Sequence, residues 1–136
     1  MPTINKMIIV EPKQNGNLKS NAVVAYNIVY TSAIYGKNRI NGKFPEQFID
    51  EVHLAFKNLS YTLETAGASC ESVIKVVIYI KTYSVARMIN DVFSKYFSIP
   101  YCARLQMQVD QLPEGAGISV EAIAAVLPIN KIKIEK

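Results

Sequence analysis

The chain has one histidine, His53, and two cysteines, Cys70 and Cys102, in 136 residues. A single histidine cannot build a metal cluster, and the cysteines show no metal-ligand spacing. Two cysteines also exclude a disulfide scaffold, and a reduced intracellular compartment is expected. No window of about 18 apolar residues occurs, so no membrane span is expected. The apolar run near the N-terminus, Met7 to Val10, stops at Glu11 and is too short for a signal peptide. No Gly-rich phosphate loop, nucleophile elbow or paired metal motif is present. No repeat recurs at 20–50-residue spacing.

What is there is an ordinary globular composition: half the residues are apolar and 19% are charged. The length suits one domain, here residues 1–136, with a core that needs no staples. The net charge is +4 at pH 7, concentrated in residues 1–45, where six basic groups face only Glu11. No dense Lys/Arg block occurs, so the charge permits anionic small molecules without demanding nucleic acid.

Period and punctuation predict the elements. Residues 3–10 read as a strand. Residues 22–25 and 28–32 form a hairpin about Tyr26-Asn27, where Asn27 suits a left-handed turn and Tyr26 does not. Residues 36–45 are a loop. A helix opens at Pro45, with Phe48, Val52, Ala55, Phe56, Leu59, Leu63 and Ala66 on its apolar stripe and Gly67 at its end. Residues 73–81 are a buried strand. Ser84 caps a second helix, striped by Val85, Met88, Ile89, Val92, Phe93 and Tyr96. Residues 98–102 form a loop. Residues 103–110 alternate, with Ala103, Leu105, Met107 and Val109 on one face and Arg104, Gln106, Gln108 and Asp110 on the other. Residues 111–117 turn the chain into a last strand, 118–126, with Ser119 and Glu121 on one side. Two helices against one sheet make a two-layer α+β domain.

Three residues are weighed first for chemistry. His53 lies off the apolar stripe and reads as a solvated surface histidine. Cys70 reads as a buried filler. Cys102 precedes Arg104, whose guanidinium could lower a thiol pKa, but no partner base is visible. Arg104 itself sits mid-strand among glutamines. Either it is an exposed or interface arginine, or its planar fork clamps the carboxylate of a small organic acid.

The segment AR-LQMQVDQLPEGAGISVEAIA (103–124) resembles the signature of the YjgF/RidA family, also labelled endoribonuclease L-PSP. NLSYTLETAGAS (58–69), VIKVVIYI (73–80) and INDVFSKYF (89–97) match that family's helix, strand and helix in order. The resemblance runs from about residue 18 to 126. It implies a chorismate-mutase-like α+β fold: one mixed sheet with two helices on one face. It also implies a cytoplasmic homotrimer with ligand clefts between subunits. The implied activity is hydrolysis of reactive 2-imino and enamine acids to 2-keto acids and ammonia, without cofactor or metal.

Residue by residue, the resemblance places Arg104 on the carboxylate-binding arginine, and it has the Gln106 N–H orient that carboxylate. Thr31 and Ser32 fall on the cleft's Thr-Ser pair. The family's cleft tyrosine aligns with Lys19, and the Gly-Gln after the serine becomes Ala33-Ile34. The water-activating glutamate aligns with Ser119, which leaves only Glu121 of its acidic pair. Glu121 lies on the same strand face but about 7 Å along. A general base must come within about 3.2 Å of its water, or act through a second one. The expected function is therefore a weak or retuned imine deaminase with Arg104, Ser119 and Glu121 as catalytic candidates. Gln106, Ser32, Thr31 and Lys19 are the binding candidates. A non-catalytic trimeric carboxylate binder is the alternative, and an RNA-directed activity ranks last because no catalytic histidine pair or basic aromatic groove is present. Residues 127–136 run past the family's usual end, as an added edge strand or a frayed basic tail.

Overall fold

A computed structural model describes residues 20–128 and the backbone of residues 6–10. The remainder of the predicted first strand, Lys19, and residues 129–136 of the extension lie outside the described residues.

Seven strands form one sheet: β1 (Lys6–Val10), β2 (Ala22–Ala25), β3 (Ile28–Thr31), β4 (Ile34–Tyr35), β5 (Val73–Ile80), β6 (Ala103–Gln108) and β7 (Ile118–Ala125). Their order is β1-β2-β3-β7-β5-β6, with β4 continuing β3's place alongside β7. β5 and β6 run parallel and the other pairs are antiparallel, so the sheet is mixed, as expected. Helices α1 (Phe48–Thr65) and α2 (Ala86–Phe93) pack on the sheet.

The β2–β3 hairpin turns on Tyr26 and Asn27, at φ 53° and 65°. Positive φ at both positions is what a two-residue turn matched to the strand twist requires. Tyr26 tolerates it with its ring in solvent, 65% exposed. The predicted loop after residue 32 contains a strand that sequence reading missed. β4 is two residues long, too short to show a period, and pairs Ile34 with Val120 and Tyr35 with Ser119.

Two helix starts differ from expectation. α1 begins at Phe48 rather than Pro45, because Gln47 is still extended, at φ −95° and ψ 133°. Ser84 does not cap α2. Thr82 caps a preceding turn instead, its hydroxyl accepting from the Ser84 N–H. Both stripes nonetheless face inward. Val52, Ala55, Phe56, Leu59 and Leu63 are sealed from solvent, as are Ile89 and most of Val92 and Phe93. Phe56 joins the helices, lying edge-on to Phe93 and Phe97 and stacked on Tyr96. Against them β5 buries Val76, Ile78 and Ile80, and β7 buries Ile118, Val120 and Ala124.

Strand alternation sends the intervening residues to the other face. That face carries Tyr30, Val77, Tyr79, Leu105, Met107 and Ile123, and no helix among the described residues covers it. Leu105 and Met107 are each 43% exposed. Gly36 and Gly117 let the first turn of α1 lie against β4 and β7. A Cβ on Gly36 would stand 2.1 Å from the Glu51 carbonyl oxygen, and one on Gly117 would stand 2.6 Å from the Phe48 ring.

Candidate functional site

Arg104 pairs in register with Val76, so it points to the helix-covered face at the sheet's edge. There its guanidinium lies 4.4 Å from the centre of the Phe93 ring. One terminal nitrogen, Nη2, donates to Asn90 Oδ1 at 2.6 Å and to Gln106 Oε1 at 2.5 Å. Both acceptors are neutral amides, and among the described residues no carboxylate pairs with Arg104. Partial burial lowers the Arg104 pKa from its ordinary value, opposed by the Cys102 thiol. An arginine still keeps its charge at neutral pH. The result is a fixed, partly desolvated cation that neutral partners aim without neutralising.

An open cavity of about 320 Å³ adjoins the guanidinium, lined by Asn90, Phe93, Ser94, Tyr101, Cys102 and Arg104. Asn90 was not singled out from sequence. It sits 14 residues from Arg104 and meets it only through the packing of α2 on β6. Gln106 lies on the free edge of the sheet. The Val109 N–H donates to Ile80 O, so two-residue alternation turns the Gln106 N–H away from β5. Its carbonyl, on that same outer side, accepts from the Tyr83 hydroxyl at 3.3 Å.

Ser119 and Glu121 lie elsewhere. They pair with Tyr79 and Val77 of β5, on the uncovered face, opposite Val76 and therefore opposite Arg104. Ser119 is buried between Tyr35 and Tyr79 in the register. Burial raises the Tyr35 pKa, with Glu114 and Glu121 adding to the rise and Lys37 opposing it, so its phenol keeps its proton. Lys37 in turn pairs with Glu114 at 2.5 Å. The start of β7 is anchored from α1, where buried Glu51 accepts the Gly117 N–H at 2.7 Å. Burial pushes the Glu51 carboxyl up, against the Gly117 and Ile118 N–H groups and Lys81. Asn58 holds the β4 end, donating to the carbonyls of Tyr35 and Lys37.

Thr31 and Ser32 close the junction between β3 and β4. The Thr31 hydroxyl donates to Ser32 O and accepts the Ala122 N–H, which satisfies it. Ser32 Oγ donates to Ser20 O at 2.6 Å and keeps a lone pair for a further donor. Lys19 lies outside the described residues. In one chain, then, Arg104 with Gln106 and Ser119 with Glu121 lie on opposite faces of the sheet, and Thr31 and Ser32 stand apart at the β3–β4 junction.

The other candidates are settled by their surroundings. The Cys102 thiol is pushed up by burial, and the Arg104 charge only partly offsets this, so the expected activation by arginine does not prevail. Cys70 is half-buried and its thiol is pushed up to about 11, mainly by burial. His53 is not a freely solvated histidine. It is half-buried, with Nδ1 3.2 Å from the Tyr96 hydroxyl. Among the described residues, no group of three or more His, Cys, Asp and Glu could hold a metal ion. No helix among them is long and apolar enough to cross a membrane.

The sheet-and-two-helix architecture matches a known class. The family model described as endoribonuclease L-PSP covers residues 9–126, and the chain belongs to this family, which includes the RidA proteins. Among curated proteins, the 2-iminobutanoate/2-iminopropanoate deaminase of Dermatophagoides farinae is 35% identical over 108 residues, covering 79% of this chain and 84% of its own. A putative endoribonuclease from Thermotoga maritima superposes with a TM-score of 0.81 at 28% identity, covering 87% of this chain and 96% of its own. TdcF from E. coli, solved with bound serine, superposes with a TM-score of 0.78 at 26% identity, covering 87% and 98%.

Proposed function

We propose that this protein hydrolyses reactive 2-imino and enamine acids to 2-keto acids and ammonia. The observation that carries the reading is Arg104, a partly desolvated cation held by Asn90 and Gln106 and paired with no carboxylate among the described residues. Such a fork is built for a carboxylate from outside, paired bidentately. The deaminase name of a 35%-identical relative and the serine bound by TdcF support a small amino-acid-like carboxylate.

The chemistry needs little beyond positioning. An enamine first takes a proton at its β-carbon and gives one up from its nitrogen to become the imine. Arg104 holds the carboxylate, and the outward Gln106 N–H gives it a second donor. Water then attacks C2, forming the new C–O bond while the nitrogen takes a proton. The carbinolamine collapses: its hydroxyl proton passes to the nitrogen, the C–N bond breaks and ammonia leaves. Ser119 orients the water through its hydroxyl. Glu121, about 7 Å along the strand, relays the attacking water's proton to the nitrogen through a second water. A serine in place of an acid is a poor base, and positioned general-base help is worth roughly 10²–10⁴-fold. The activity is accordingly slow.

The two halves of this machinery lie on opposite sheet faces, so one copy cannot assemble them. The site closes between copies, in a homotrimer whose subunits cover one another's open faces. The half-exposed Leu105 and Met107 on that face support this arrangement. A symmetric ring repeats the same contact and leaves no open face.

The test is ammonia and keto-acid release from enzymatically generated 2-iminobutanoate. The wild-type protein is expected to accelerate it and Arg104→Ala to abolish the acceleration. Ser119→Glu is expected to raise the rate tenfold or more. A folded oligomer without acceleration would overturn the reading and leave a carboxylate-binding protein.

A further inference from the structure

The cavity beside Arg104 is larger than a short aliphatic imino acid needs. Its volume of about 320 Å³ falls within the roughly 300–1,000 Å³ of pockets that take drug-sized ligands. The side chain of 2-iminobutanoate is a single ethyl group. The walls are also chemically divided. Arg104 and Asn90 stand at one end, while Phe93, Tyr101 and Cys102 line the rest with little polarity. Pockets of this kind fix a ligand by a few polar groups and bind it by an apolar body.

The aromatic walls have a definite geometry. The Phe93 ring is stacked with Phe97 at 4.3 Å and 8°, and carries Arg104 at 4.4 Å. Phe93 is only 4% exposed, so it backs the cavity wall without a free face of its own. Tyr101 lies 6.3 Å from it, tilted by 40°, and is 55% exposed, so its ring has a face to offer. At that separation the two rings already touch, so a guest ring meets the exposed Tyr101 face rather than a gap between them, at the 4.5–7 Å of an aromatic pair. Ser94, exposed at the end of α2, leaves the mouth open to a long side chain.

Building on the deaminase reading, we infer that the preferred substrate carries an aromatic side chain, its carboxylate on Arg104 and its ring against the exposed face of Tyr101. Tyr101 is then the residue that sets specificity. It touches the part of the substrate that does not react.

Calorimetry with two unreactive keto acids, phenylpyruvate and 2-oxobutanoate, tests this on the full-length protein whether or not catalysis is observed. Phenylpyruvate is expected to bind at least tenfold more tightly, since even one methylene in an apolar pocket is worth about 10-fold or more. Tyr101→Ala should remove that preference and leave 2-oxobutanoate within twofold. Ser94→Leu, which fills the mouth, should weaken phenylpyruvate alone. Arg104→Ala should weaken both. Equal affinities, an equal loss of both ligands in Tyr101→Ala, or phenylpyruvate binding that survives Arg104→Ala would each overturn the inference. A retained preference without hydrolysis would overturn the deaminase reading and leave the aromatic pocket standing.

Discussion

On one face of β5, Val76, Ile78 and Ile80 are sealed beneath two helices; on the other, Val77 and Tyr79 are only half-covered. The covered face is complete within one chain. Its aromatic contacts, Phe56 on Tyr96 and Phe93 on Phe97, leave nothing for a partner to supply. The open face has the residues of a core without the cover, and it holds Ser119 and Glu121. Arg104 stands at the edge of the finished face. The helix side thus folds the chain, with Arg104 at its edge, and the proposed proton-transfer pair sits on the open side.

The sharpest way to break this contrast is to cut each face. Phe56→Ala should cost about 3–5 kcal/mol in urea denaturation, the range for a large buried aromatic. A cost below about 1 kcal/mol would mean that the helix face is not the folding core. At the edge of that face, Arg104→Lys should lose at least tenfold in kcat/KM for imine hydrolysis while leaving the melting temperature within two degrees or so, because lysine cannot reproduce the planar fork. Full activity with lysine would reduce the clamp to a point charge. On the open face, Leu105→Glu should lower the mass seen by sedimentation to that of a monomer with the fold intact by circular dichroism. Charge at the centre of a contact between copies is strongly disfavoured. An unchanged assembly would place the contact elsewhere.

The smallest effect links the two faces through Glu51. Its folded pKa is raised above the ordinary 4.5 by burial. The native state therefore favours the protonated carboxyl, and this contribution is full below pH 4.5 and lost as pH rises through the raised value. Glu51→Gln keeps an acceptor for the Gly117 N–H without the charge. It should melt slightly higher than wild type at pH 7, and the gap should close toward pH 4. A gap that widens on acidification would reverse the sign assigned to Glu51.

Much of this contrast was legible in the residues themselves. The stripes of α1 and α2 repeat every three or four positions, and the alternation of β6 and β7 every two, so each element showed which of its residues share a face. Alternation alone put Arg104 with Gln106, and Ser119 with Glu121. It could not show that β5 lies between those strands in a register that turns the two groups to opposite faces. That relation is long-range, and so is the packing that brings Asn90 to Arg104. β4 was missed because two residues carry no period. The start of α1 was misplaced because Pro45 is compatible with a helix opening that Gln47, still extended, delays. Nor could sequence weigh the burial of Cys102 against the field of Arg104, because solvent exposure is decided by neighbours distant along the chain.

The most direct test of the divided site is to mix two damaged forms. Arg104→Ala lacks the edge half, and the double variant Ser119→Ala with Glu121→Ala lacks the open-face half. Each alone should retain less than about a tenth of the wild-type imine hydrolysis, the scale expected when positioned proton-transfer or binding groups are lost. Unfolded and refolded together in equal amounts, they should recover activity, since roughly one contact in four then joins two intact halves from different copies. Activity no greater than the sum of the separate forms would contradict the account, as would full activity in the double variant.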